Sequence, residues 1–122
     1  MTANILVADD STTVVKIVSL ALRFKGYRVA AANNGKEALD ALRREAFDMA
    51  IIDLMMPVMD GLELLSIIKK DDNLKDIPVI IFASEDDEES RKKSMELGAD
   101  SYIAKPFQPQ EIIAKVEALL ND

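Results

Sequence analysis

The chain has 122 residues, 15 Lys+Arg against 22 Asp+Glu, a net charge of −7, and neither cysteine nor histidine. That length suits one domain spanning residues 1–122, with a core large enough to need no disulfide or metal staple. The composition excludes thiol and imidazole chemistry and ordinary zinc sites, leaves only hard, oxygen-bound metals, and disfavours direct binding to nucleic acid or an anionic membrane.

In chain order, Ile5-Leu6-Val7-Ala8 is the first continuous apolar run, and it stops at Asp9-Asp10. No basic stretch precedes it and it is far too short for a signal core or a membrane span, so the expected location is the cytoplasm. Ser11-Thr12-Thr13 then reads as a helix cap rather than a phosphate loop, since no glycine is present and two carboxylates stand beside it. Val14, Ile17, Val18 and Ala21 recur at helical spacing until Gly26 ends the segment. With Val15, Leu20, Leu22 and Phe24 added, the apolar arc of this helix sweeps roughly 220°. A core-facing stripe needs not much over about 100°. Leu20 and Phe24 on one flank and Val15 on the other are therefore surplus. Packing against the last helix is expected to absorb part of that surplus, and the remainder predicts a docking surface.

A weaker apolar run covers residues 27–31, and Asn34 can cap a helix carrying Ala38, Leu39 and Leu42. Met49-Ala50-Ile51-Ile52 is the third run and stops at Asp53. Met55, Met56 and Met59 in the following loop are expected to pack, and Asp60-Gly61 to turn the chain into a helix bearing Leu62, Leu65 and Ile68. The fourth run, residues 79–83, stops at Ser84. The helix expected over 88–97 has only Met95 and Leu97 as large apolar residues and leans on Glu88/Lys92 and Glu89/Lys93 pairs, each adding a few tenths of a kcal/mol. Few anchors predict an easily shifted element. Residues 101–104 form the last run and stop at Lys105-Pro106, after which Pro109 opens a helix with Ile112, Ile113, Val116, Leu119 and Leu120.

Continuous rather than alternating apolarity marks strands buried on both faces. Five such runs alternating with five helices predict an α/β, doubly wound, five-stranded parallel sheet, a (βα)5 flavodoxin-like three-layer sandwich. Ligands in these sheets bind at the carboxyl ends of the strands. Four of the five runs end there in reactive residues, so Asp9, Asp10, Asp53, Ser84 and Lys105 converge on one rim. Three carboxylates repel unless a cation or proton holds them, and open oxygen coordination suits Mg²⁺. A lysine and a hydroxyl beside a divalent ion suit a transferring phosphoryl group, with a carboxylate as nucleophile.

These residues, in this order and with this strand placement, resemble the receiver domain of two-component response regulators across essentially the whole chain. The resemblance implies that Asp53 accepts a phosphoryl group from the phosphohistidine of a sensor histidine kinase or a histidine phosphotransferase. It implies that Asp10 and Asp53 ligate Mg²⁺ with the backbone carbonyl of Met55, that Asp9 acts through metal-bound water, and that Lys105 and Ser84 engage the phosphoryl oxygens. Tyr102 matches the family's switch aromatic, and Pro106 a residue usually preceded by a cis peptide bond. The expected role is a phosphoacceptor controlling a downstream protein or output domain, not an enzyme acting on a separate substrate. The docking surface expected on the first helix would then take a kinase, phosphotransferase or partner domain. Glu85 departs from the family, which usually carries a small residue there. Its charge and bulk either slow access to the pocket or, the favoured alternative, point to solvent, so the departure bears on rates and not on the identity of the domain. An aspartyl-nucleophile phosphatase, the rival chemistry, would want a second aspartate two residues after Asp53, where Met55 stands. A pure interaction module would not need every acidic, hydroxyl and lysine position filled.

Overall fold

A computed structural model describes residues 2–84 and 87–120, with Ser84 described by its backbone alone. Five strands, β1 (Asn4–Ala8), β2 (Arg28–Ala32), β3 (Met49–Asp53), β4 (Val79–Ser84) and β5 (Ser101–Lys105), alternate with five helices. These are α1 (Thr12–Phe24), α2 (Gly35–Arg44), α3 (Gly61–Lys70), α4 (Glu88–Glu96) and α5 (Pro109–Leu120). All pairings are parallel, in the order β2-β1-β3-β4-β5. The expected doubly wound sheet is the fold observed.

The strands bury both faces because successive side chains point opposite ways. Leu6, Ala50, Ile52 and Ile81 meet Leu39, Leu42, Leu64 and Ile68 on one side. Ile5, Val7, Ile51, Ile80 and Phe82 meet Val18, Leu22, Ile112 and Val116 on the other. Thus α1 and α5 cover one face and α2, α3 and α4 the other. Caps set the helix starts as the sequence suggests. Ser11, Asn34 and Asp60 side chains accept from the backbone N–H groups of Val14, Glu37 and Glu63. Gly26 and Gly98 leave their helices with φ of 95° and 108°.

Three expectations need correction. On α1, Leu20 and Phe24 are 68% and 89% exposed as surplus residues and Val15 is absorbed by packing beside α5, but Ile17, expected on the core stripe, is 45% exposed. The α1 arc is rotated slightly from the sequence estimate because α5 packs along the Val15 side. On α4, Glu89 pairs with Lys93 at 3.5 Å as expected, whereas Glu88 meets Arg91, at 3.7 Å, instead of Lys92. Among the loop methionines, Met56 is buried and Met59 packs against the core, but Met55 projects into solvent. Among the described residues, no helix is long and apolar enough to cross a membrane.

Candidate functional site

Sheet order determines what can meet. The chain leaves β1 toward β2 on one side, then returns to place β3 on the other, so the loops after β1 and β3 diverge and open a crevice between them. Asp9 and Asp10 enter it from the end of β1, and Asp53 from the end of β3. One carboxylate oxygen from each of Asp9, Asp10 and Asp53 lies within 4.8 Å of the others. Asp9 and Asp53 are buried and Asp10 is exposed.

Lys105 comes from β5, which is separated from β3 by β4, a span of roughly 10 Å between strand axes. Only a long side chain bridges that distance. Its ammonium donates to Asp9 Oδ2 at 2.9 Å and to Asp53 Oδ1 at 3.2 Å. On the way it passes the face of Phe82, 5.8 Å from the ring centroid, and Phe82 in turn stacks on Phe107 at 5.0 Å. Neither phenylalanine stands out in the sequence. Only the register, which puts Phe82 opposite both Asp53 and Ile103, reveals that it floors the site.

The second oxygen of Asp9, Oδ1, accepts from the Ser11 backbone N–H at 2.9 Å, so this carboxylate is held from both sides. Asp53 is less well compensated. Its carboxyl is pushed up to about 6 by burial and then by the charge of Asp9; Lys105 pulls it down and Asp10 pushes it further up. Burial pulls the Lys105 ammonium down, but its hydrogen bond to Asp9 and the charges of Asp53 and Asp9 outweigh that and hold it above the usual lysine value. Three carboxylates against one ammonium leave two net negative charges in the ionised crevice. Hard oxygen donors, a spare double negative charge and an open side at Asp10 fit a divalent cation such as Mg²⁺.

The loop after Asp53 is tightly set. Leu54 N–H donates to Phe82 carbonyl and Gly61 N–H to Leu54 carbonyl. A Cβ at Gly61 would overlap the backbone carbonyl of Asp53, and one at Gly35, the first residue of α2, would overlap the backbone of Met59. Val58 in this loop has φ of 71°, a conformation rarely adopted by a β-branched residue. Met55 stands two residues past Asp53 in the same loop. The Lys105–Pro106 peptide bond is cis, as expected.

Of the remaining site residues, Ser84 ends β4 opposite Lys105 in the register, while its side chain and Glu85 lie outside the described residues. Tyr102 is half-buried on the opposite face of β5 from Lys105, packed against the core under α2 and α3, with the guanidinium carbon of Arg91 5.3 Å from its ring centroid. Arg91 carries no signal in the sequence, being one of several charges on a polar helix.

A family model described as the response regulator receiver domain matches residues 5–117. The response regulator GtcR of Aneurinibacillus migulanus is 38% identical over 121 residues, which are 99% of this chain and 49% of that protein. The alkaline phosphatase synthesis transcriptional regulatory protein PhoP of Bacillus subtilis is 35% identical over 99% of this chain and 50% of its own length. The chain thus spans about half the length of these curated relatives. Among solved structures, a response regulator from Chloroflexus aurantiacus superposes with a TM-score of 0.95 at 32% identity, covering 100% of both chains. The chemotaxis response regulator CheY4 of Vibrio cholerae gives 0.92 at 31% identity, covering 98% of this chain and 100% of that one.

Proposed function

The chain belongs to the response regulator receiver domains, and from that membership we propose that it accepts a phosphoryl group on Asp53 and relays the event through β5 and α4. The observation that carries the proposal is the Lys105 ammonium shared between Asp9 and Asp53, inside a cluster of three carboxylates at the sheet's carboxyl edge.

In the transfer, an Asp53 carboxylate oxygen forms a bond to phosphorus as the phosphorus–nitrogen bond of a donor phosphohistidine breaks and the imidazole leaves. With its carboxyl titrating at about 6, Asp53 is mostly ionised at neutral pH and able to attack. Lys105 is already beside the acceptor and pairs with the incoming phosphoryl oxygens, and the Ser84 hydroxyl completes the set. Asp9, Asp10, Asp53 and the backbone carbonyl of Met55 would hold Mg²⁺, which supplies charge neutralisation for the phosphoryl group. Attack by water on the same phosphorus returns the carboxylate and releases phosphate. The protein is then a phosphoacceptor rather than an enzyme with a separate substrate. Its donor is a sensor histidine kinase or a histidine phosphotransferase in the cytoplasm, and its recipient a downstream protein or output domain. Phosphorylation adds negative charge and acceptor oxygens at Asp53, drawing Ser84 inward and letting Tyr102 turn, which shifts α4.

Acetyl phosphate or phosphoramidate with Mg²⁺, followed by intact mass, tests this. The expected result is one added phosphoryl mass in the wild type and none in Asp53→Asn. Stoichiometric labelling of the Asn variant would remove Asp53 as the acceptor.

A further inference from the structure

We propose that Arg91 is a positioning residue for Tyr102, holding its ring in the present place so that phosphorylation must displace a stacked cation; this rests on the phosphoacceptor role of Asp53. The inference begins with how poorly α4 is seated. Its fully buried residue is Ser94, whose hydroxyl donates to the Ser90 carbonyl at 2.8 Å and so is spent within the helix. Met95 and Leu97, the large apolar residues nearby, are 45% and 37% exposed and do not anchor it. A helix resting on serines has no interlocking side chain to fix its place beside the sheet.

From α4, Arg91 lies over the Tyr102 ring of β5, guanidinium carbon to ring centroid 5.3 Å. The guanidinium is planar and weakly hydrated and stacks well on an aromatic face. Its other partner, Glu88 at 3.7 Å, is an exposed pair on the same helix, which holds it only weakly. The ring is half-buried against the core under α2 and α3, three residues before Lys105 on the same strand. Odd spacing puts the ring and the ammonium on opposite faces of the sheet, so Tyr102 does not reach the acidic crevice directly. Movement of the ring therefore reaches α4 through the stacked guanidinium. Because that stacking stabilises the present ring position alone, it opposes the turned one. Removing the cation shifts the balance toward the turned ring, and a ligand at Asp53 that prefers the turned ring binds more tightly.

The sequence has two tyrosines and no tryptophan, so Tyr27→Phe leaves Tyr102 as the sole tyrosine and makes its ring resonances and fluorescence unambiguous. In that background, beryllofluoride with Mg²⁺ is titrated into the parent, Arg91→Met and Arg91→Lys, with melting temperatures measured alongside. Methionine keeps a long apolar stem and a good helix propensity but no charge. Lysine restores the cation. In Arg91→Met the free protein's Tyr102 resonances should move toward their beryllofluoride-bound positions and the binding midpoint should fall by about two- to fivefold. Arg91→Lys should bring both back toward the parent. A folded Arg91→Met with unchanged resonances and midpoint, or with weaker binding, overturns the inference while leaving the Asp53 assignment standing. If the parent binds no beryllofluoride, the phosphoacceptor reading fails first and this one with it.

Discussion

Asp53 is the residue whose environment is least comfortable with its charge, and the consequence is a pH dependence of definite sign. In an unfolded chain an aspartate titrates near ~3.9, whereas burial and the Asp9 charge push folded Asp53 up to about 6. Between those values the folded protein holds the extra proton, so by linkage this residue's contribution to stability is fully present below ~4 and is lost as pH rises through about 6. The measurement is the difference between wild type and Asp53→Asn, which isolates this residue. In metal-free buffer the urea midpoint of wild type should fall relative to the variant from pH 4 to pH 7; a constant difference would refute the assignment. A second strained residue lies five positions on. Val58 is 75% exposed, so its side chain stabilises little, yet its φ of 71° places a branched Cβ where it crowds the following carbonyl. Val58→Gly relieves roughly 1–2 kcal/mol of that crowding and returns about half as extra unfolded-chain entropy. The expected net gain is about 0.5–1 kcal/mol, read as a rise of a few degrees in melting temperature.

At the scale of the element, the contrast between α3 and α4 predicts where the molecule opens first. Leu64, Leu65 and Ile68 of α3 are fully buried, while α4 buries a serine. Backbone amides of α4 should therefore exchange with solvent well ahead of those of α3 under native conditions, and equal protection would contradict the weak seating. This weakness was legible from the sequence, because a helix with two large apolar residues in ten cannot be well buried wherever it sits. The strands and helix caps were legible for the same local reason: continuous apolarity, Asn34, Asp60 and the glycines each act within a few residues. What sequence could not supply is contact across elements. Val15 and Ile17 lie on opposite flanks of the α1 arc, roughly 160° apart, and only the position of α5 decides which flank is covered. Phe82 beneath Lys105 and Arg91 upon Tyr102 are likewise products of strand register and helix placement, and no spacing rule connects them. The acidic cluster was readable because strand ends in a parallel sheet share one edge, so chain order alone brings Asp9, Asp10, Asp53 and Lys105 together.

For the molecule as a whole the net charge is −7, and two of those negative charges fall in the crevice at that edge. Two uncompensated negative charges in the crevice destabilise the fold until a cation arrives, and a ligand that binds only the folded state stabilises it by mass action. At tenfold over its dissociation constant Mg²⁺ should add about 1.4 kcal/mol. Melting curves with and without millimolar Mg²⁺ should show a clear rise for wild type and a much smaller one for Asp10→Asn; equal shifts would place the cation elsewhere. The same edge is framed by two glycines pressed against main chain, Gly61 on the carbonyl of Asp53 and Gly35 on the backbone of Met59. In genetic terms these positions differ from ordinary tight packing. A bulky substitution against a neighbouring side chain can be suppressed by trimming that neighbour, but a peptide group is the same whatever residue carries it. Loss-of-function alleles at Gly35 and Gly61 should thus find no suppressor among point substitutions at Met59 or Asp53, and revertants should restore glycine or alter the length of the loop between them.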